Sequence, residues 1–252
     1  DFSSTISRIH FHDVLDAVSQ NKIDQGIVPI ENSIEGTIGI VPDMLASEVD
    51  LKIGNEIAVS IHNILMAKKK INLKSVKRII SHPQPIEQSR TWLRKHVPNA
   101  EISLSYSTAQ AAHQVARSGR EDIAAIASLN SARLYKLKIL AKNVTEYKDN
   151  MTRFVVLSKS DNKPTGNDKT SIVFSIVSDK PGGLYAILSE FAIRNINLTK
   201  IESRPSKKAL GDYFFFVDMD GHYSDKAVFD ALSQIAKKTS FLKILGSYPK
   251  GV

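Results

Sequence analysis

Short apolar runs alternate with amphipathic stretches along this chain, and the alternation predicts most of its elements. Val14, Leu15 and Val18 fall at helical spacing within 13–20. After a turn at 21–24, Ile27-Val28-Pro29-Ile30 reads as a buried strand that breaks into Glu31, Asn32, Ser33 and Glu35 before Gly36. Residues 34–46 have helical character, with a break or kink expected at Pro42. Residues 51–66 alternate and are rich in Ile and Val, which predicts one long strand or two in succession, and 68–73 is a polar crossing. Further strands are predicted at 76–80, 102–105, 123–127, 139–141 and 154–157. Trp92 with Leu93, Ala111-Ala112 with Val115, and the stretch through Tyr135 mark helices between them. Strand and helix thus alternate through residue 157, which favours a parallel α/β architecture.

Beyond that point the pattern changes. Residues 158–168 are polar, with Pro164 and Gly166, and read as a linker. A strand at 170–177, the turn Asp179-Lys180-Pro181-Gly182-Gly183 and an apolar helix face of Leu184, Ile187, Leu188, Phe191 and Ala192 follow. A strand at 196–201, a loop at 206–210, a strand at 213–219, a helix marked by Val228, Ala231, Leu232 and Ile235, and a strand at 241–245 complete the order βαββαβ. That order is a small α+β sandwich. The predicted division is 1–160 for the α/β part and 169–252 for the α+β part.

Composition removes several classes of function. The 252 residues are 42% hydrophobic and 24% charged, ordinary for a globular chain with room for two domains. No apolar run is long enough for a membrane span, and none at the start has the pattern of a signal peptide. The absence of cysteine excludes disulfides, thiolate metal sites and a Cys nucleophile. A cytoplasmic protein fits. The formal net charge of +8 is dispersed, with only Lys68-Lys69-Lys70 as a short run and no nucleic-acid-binding motif beside it. Attraction for small anions is the expected consequence.

Small polar residues close several of the predicted strands: Ile30 into Glu31, Ile80 into Ser81, Ser105 toward Ser107, and Ala127 into Ser128. Ser81 or His82 can cap the next helix, with Pro83 in its first turn, and Ser107-Thr108-Ala109-Gln110 matches a capping box. Helix N-termini gathered at strand ends suit a ligand that carries carboxylates. Ordinary strand-to-helix loops would carry the same residues.

The motifs Gly26–Gly36 (GIVPIENSIEG), Ser81-His82-Pro83-Gln84 with Gln88, Ser107-Thr108-Ala109 and Thr152-Arg153-Phe154 occur in this order. Gly182-Gly183-Leu184-Tyr185, Asn195-Ile196-Asn197-Leu198 and Glu202-Ser203-Arg204-Pro205 follow. Together they resemble the prephenate dehydratase family joined to a C-terminal ACT domain. The resemblance implies a two-lobed, periplasmic-binding-protein-like catalytic part with its site between the lobes, followed by an α+β regulatory ACT domain. It implies conversion of prephenate to phenylpyruvate, water and CO₂, a step of phenylalanine biosynthesis. Arogenate dehydratase and a non-catalytic, amino-acid-responsive regulator are the alternatives. Members of the family usually open with a strand and a Gly-Thr-(Phe/Tyr)-Ser loop, whereas this chain starts at Asp1 in mid-pattern, so an N-terminal segment is expected to be missing.

Loss of CO₂ and hydroxide from prephenate creates an aromatic ring, so the chemistry requires neither cofactor nor metal. The family implies Thr152 as the main catalytic candidate, donating a hydrogen bond to the departing oxygen. Glu31 would assist, directly or by orienting Asn32 and Thr152, and Gln88 is a further neutral donor. Ser33, Ser81, His82, Thr108 and Arg153 are substrate-binding candidates. Arg153 would pair with a substrate carboxylate or form a structural ion pair, and His82 would be a general acid or structural. In the ACT part, Gly182 and Gly183 would meet the carboxylate of an allosteric L-phenylalanine and Leu184 its side chain, with Asn195 and Asn197 at its polar groups. Glu202, Ser203 and Arg204 would close that site or transmit its signal. ACT pairing implies a homodimer or homotetramer.

Overall fold

The structure is a computed structural model that describes residues 10–146, 149–177, 181–207 and 211–251. The lead-in at 2–9, Asp179 and Lys180 of the predicted turn, and 208–210 of the predicted loop lie outside the described residues. The chain forms two compact units. One takes the described residues up to 59 and from 152 on, and the other takes 60–151.

The first unit opens with α1 (Phe11–Ser19), β1 (Gly26–Asn32), β2 (Gly36–Thr37), α2 (Ile40–Ser47) and β3 (Lys52–Ser60). The segment after β1 is a hairpin into β2, with Glu31 opposite Thr37 and Asn32 opposite Gly36, rather than the start of a helix. Asn32 decides this locally, because its Oδ1 accepts the Ile34 and Glu35 N–H groups (3.0 and 3.2 Å) and tightens the turn. Pro42 falls third in α2, where the missing N–H costs nothing, so the helix starts past Gly39 and runs unbroken through it.

The second unit comprises β4 (Ile64–Ala67), β5 (Arg78–Ser81), α3 (Pro83–Gln88), α4 (Arg90–His96), β6 (Glu101–Leu104), α5 (Thr108–Arg117), β7 (Ile123–Ala127), α6 (Leu129–Leu134) and β8 (Lys138–Ala141). Its sheet has the order β6-β5-β7-β4-β8. β5 is parallel to both β6 and β7, while β4 runs antiparallel to β7 and β8. The predicted parallel architecture therefore holds for the three strands followed by helices. Apolar side chains cover both faces: Ile64, Met66, Ile80, Val115 and Ile123 on one, Leu65, Ile79, Leu93, Val97 and Ile126 on the other.

The chain returns to the first unit through β9 (Met151–Ser158), then β10 (Asp168–Ile176), α7 (Gly183–Ala192), β11 (Leu198–Pro205), β12 (Tyr213–Asp220), α8 (Lys226–Ala236) and β13 (Thr239–Pro249). β9 enters the sheet β2-β1-β9-β3 antiparallel to β1. β1 is thus a half-buried strand, with Ile27 58% exposed on one side while Val28 is fully buried on the other, and not a strand of a parallel sheet. The last four strands form an antiparallel sheet of order β11-β12-β10-β13. One of its faces carries α7 and α8 over Ile172, Phe174, Val217 and Met219. The other face supplies Val173, Phe214, Phe216, Leu245 and Tyr248 to a core shared with Val28, Ile30, Leu45, Ile53 and Val155.

Candidate active site

The motif after the first strand and the Thr-Arg-Phe motif, far apart in sequence, occupy adjacent rungs of one ladder. Glu31 stands opposite Arg153 and Asn32 opposite Thr152. Cross-strand partners share a face and successive residues alternate, so the four residues divide into two back-to-back pairs. An irregularity of the ladder between Pro29 and Glu31, with Ile30 as the extra residue, re-aims the end of β1.

Asn32 and Thr152 form one pair, buried at 4% and 9% exposure. Asn32 Nδ2 donates to Thr152 Oγ1 at 3.0 Å. The amide is oriented without ambiguity, because its oxygen is the acceptor of the turn N–H groups. Thr152 Oγ therefore accepts from Asn32, and its own O–H is the donor that remains for chemistry. Accepting one hydrogen bond strengthens the donation of the next. Ser33 lies exposed in the turn beyond.

Glu31 and Arg153 form the second pair. Arg153 Nη2 lies 2.9 Å from Glu31 Oε2, and Nη1 lies 3.1 Å from Glu56 Oε2 and 2.9 Å from Asp218 Oδ2. Lys200 reaches Glu31 at 3.5 Å, and Lys169 reaches Glu56 at 2.7 Å. Burial works against the charge of Arg153, but Asp218 foremost and Glu31 beside it hold the guanidinium proton more tightly than usual. Burial likewise raises Glu56, and Lys169, the Gly251 N–H and Arg153 outweigh it, so its carboxyl sits below the ordinary range. Of the two roles open to Arg153 in the sequence, the ion pair is the one the geometry occupies.

In the second unit, three adjacent parallel strands end at one edge of the sheet, and each is followed by a capped helix. His82 Nδ1 accepts the Gln84 N–H at 3.3 Å, Ser107 Oγ the Gln110 N–H at 3.0 Å, and Ser128 Oγ the Ser131 N–H at 3.3 Å. Thr108 is half-buried as the first residue of α5. Ser81 is fully buried and donates to the Ile126 carbonyl at 2.7 Å, tying β5 to β7. Gln88 is buried at the end of α3, and its Oε1 accepts from Asn63 Nδ2 and Asn150 Nδ2, both at 3.1 Å. That fixes its oxygen against two asparagines and turns its NH₂ the other way. Asn63 and Asn150 were not legible as partners of Gln88, because a lone Asn between strands reads as a turn. The one signal was that Asn150 stands two positions before Thr152.

The residues expected around an amino acid in the C-terminal part also divide. Gly182, at φ +83°, is the N-cap of α7 and Gly183 its first residue, with Leu184 packed on the helix-side core. Asn195, at φ +56°, follows the end of α7, and Asn197 Nδ2 donates to Asp220 Oδ2 at 3.3 Å. Ser203, opposite Phe215, is on the helix-covered face of β11. Glu202 and Arg204 point from the other face: Glu202 accepts from the Thr37 hydroxyl, and Arg204 Nε donates to Asp43 Oδ1 at 2.9 Å.

Among the described residues, no cluster of His, Asp or Glu could hold a metal ion, and no helix is long and apolar enough to cross a membrane. A periplasmic-binding-protein-like α/β part joined to a C-terminal ACT domain is the class these features define. Residues 3–162 match the family model for prephenate dehydratase, and residues 170–237 match that for the ACT domain. The prephenate dehydratase of Methanocaldococcus jannaschii is 44% identical over 94% of this chain and 85% of its own. The bifunctional chorismate mutase/prephenate dehydratase of Aquifex aeolicus is 45% identical over 95% of this chain, which spans only 65% of that relative's length. A solved structure of prephenate dehydratase from Arthrobacter aurescens, in complex with L-Phe, matches with a TM-score of 0.85 at 37% identity, covering 95% of this chain and 79% of that one. The chain belongs to the prephenate dehydratase family.

Proposed function

We propose that this chain removes CO₂ and water from prephenate to give phenylpyruvate, and that L-phenylalanine binds its ACT domain and inhibits it. The observation that carries the reading is the Asn32–Thr152 pair. As the ring carboxylate departs as CO₂, the electrons of its C–C bond move into the ring and expel the hydroxyl on the far carbon. Thr152 donates its O–H hydrogen bond to that oxygen, and the bond strengthens as negative charge develops there; the group leaves as hydroxide and takes up a proton from solvent to become water. Aromatisation drives the step, and no cofactor enters.

Asn32 takes part beside Thr152, and Gln88 is a further neutral donor for the reaction. Glu31, engaged with Arg153 and Lys200, assists by orienting Asn32 and Thr152. The helix ends following β5, β6 and β7, with His82 and Thr108, supply favourable dipoles and donors for carboxylates. Catalysis belongs to 1–160 and regulation to 169–252. The protein works in the cytoplasm as a homodimer or homotetramer, for which the exposed Ile201 on edge strand β11 offers an apolar contact.

The test is incubation of purified protein with prephenate, following phenylpyruvate with and without L-phenylalanine, beside a parallel arm with arogenate. Turnover of prephenate that L-phenylalanine suppresses is expected. Absence of phenylpyruvate at every enzyme concentration overturns the reading.

A further inference from the structure

The Thr152 rung is held from behind by a residue of the C-terminal domain. Arg153 and Glu31 are the immediate chain neighbours of Thr152 and Asn32, and the two pairs are adjacent rungs whose side chains take opposite faces. Arg153 is engaged by three carboxylates, and only one of them, Asp218, comes from the ACT sheet. Asp218 is itself fixed: Ser171 Oγ donates to its Oδ1 at 2.6 Å, and Ser171 lies 2.7 Å from the Tyr248 hydroxyl at the end of β13. Asp218 is 7% exposed and Tyr248 fully buried, so this bracket has little room to adjust. Lys200, opposite Asp218 on β11, lies 3.5 Å from Glu31, so a second residue of this sheet reaches the same pair.

We propose that Asp218 is a positioning residue for the dehydration, acting through Arg153 to set the Thr152 hydroxyl. The inference rests on the proposed function for its kinetic consequence, though not for its structural one. A half-buried guanidinium shared among three carboxylates has its direction set by all of them. Without the charge of Asp218, the guanidinium shifts toward Glu31 and Glu56. β9 then tilts at Arg153, and Thr152 moves on the other face. Displacements of under an ångström suffice to slow a reaction that depends on a positioned donor.

The experiment compares wild type, Asp218→Asn and the milder Ser171→Ala, which removes only the donor that orients Asp218. Steady-state kinetics on prephenate and backbone hydrogen exchange of β9 and α8 are both measured. For Asp218→Asn, kcat is expected to fall about tenfold or more with KM within about twofold. Exchange in β9 rises about tenfold while α8 is unchanged, and Ser171→Ala moves both readouts the same way by less. A purely structural ion cluster would lower stability and leave kcat of the folded fraction alone. Unchanged exchange in β9, or unchanged kcat in a protein whose β9 exchange has risen, overturns the proposal. Should Asp218→Asn not fold, Ser171→Ala decides by the same two criteria. Should wild type itself fail to turn over prephenate, the proposed function fails, and the exchange result alone decides whether Asp218 sets β9.

Discussion

A threonine hydroxyl can accept or donate, and at Thr152 the surroundings separate those roles. Asn32 supplies the hydrogen bond it accepts and is locked in that orientation by its own turn. Thr152→Ser keeps both roles and should keep kcat within about tenfold, whereas Thr152→Val keeps the shape and should lose about 100- to 1,000-fold in kcat with little change in KM. Equal kcat values for the two variants would remove Thr152 from the chemistry. Glu56 makes a different prediction, about pH. Its carboxyl is ionised more readily in the folded chain than at its ordinary value of 4.5, so the unfolded chain takes up the proton first as pH falls. Its stabilisation is complete above that value and is lost as pH drops through the lower, folded one. Glu56→Gln should therefore be less stable than wild type at neutral pH by about 2 kcal/mol, because Lys169 and Arg153 lose a charged partner. It should also have a flatter stability curve in the acid window, seen in urea midpoints measured from pH 3 to 7. Some slope remains from Asp43 and Glu202, whose ionised forms Arg204 and Thr37 respectively favour against burial.

Among the elements, β13 and β3 approach closely at one glycine. A Cβ on Gly246, at φ +151°, would stand 2.3 Å from the carbonyl oxygen and 2.7 Å from the nitrogen of Ile53 in β3. Backbone atoms cannot yield as a side-chain end can, so Gly246→Ala must separate two strands across the shared core. The expected loss is about 3 kcal/mol. Gly182→Ala serves as the comparison, since its Cβ would meet nothing within 4 Å and only the φ of +83° is strained, at about 1–2 kcal/mol. Urea unfolding ranks the two, and equal losses would mean that the approach of β13 to β3 is not tight. The turn at Gly182 was legible in the sequence, and the role of Gly246 was not, because no local pattern reports the approach of a distant strand. Periodicity located β5, β7, α5, α7 and α8 closely because each buries a single continuous stripe or run. It failed at 34–39, where Asn32 bonds two N–H groups and makes a hairpin of what reads as a helix start. The motifs marked Glu31, Asn32, Thr152 and Arg153 as candidates, but not how they divide: an irregularity at Ile30 sets which face Glu31 and Asn32 take, and no local pattern announces it.

Across the whole chain, the division by pattern and the division by packing differ, and the difference is physical. The change in periodicity at 158–168 marks where the architecture changes, yet compactness cuts the chain at 59–60 and 151–152. Pattern reports which residues are apolar and not which distant segment they meet. The 60–151 segment covers both faces of its sheet with its own side chains. The ACT sheet covers only one face that way, and Val173, Phe214, Phe216, Leu245 and Tyr248 on the other belong to a core completed by β1, α2, β3 and β9. A chain piece of residues 60–151 should therefore fold alone and melt cooperatively, because nothing in its two cores is supplied from outside. A piece of residues 169–252 should keep α7 and α8 on their face while exposing five large side chains on the other. Exposed patches of that kind bind hydrophobic dyes and associate. Circular dichroism melts, dye fluorescence and sedimentation of the two pieces beside the full chain decide the matter. A monomeric, dye-silent 169–252 piece with a sharp melt would show that the shared core is dispensable, and with it the route by which Asp218 reaches Arg153.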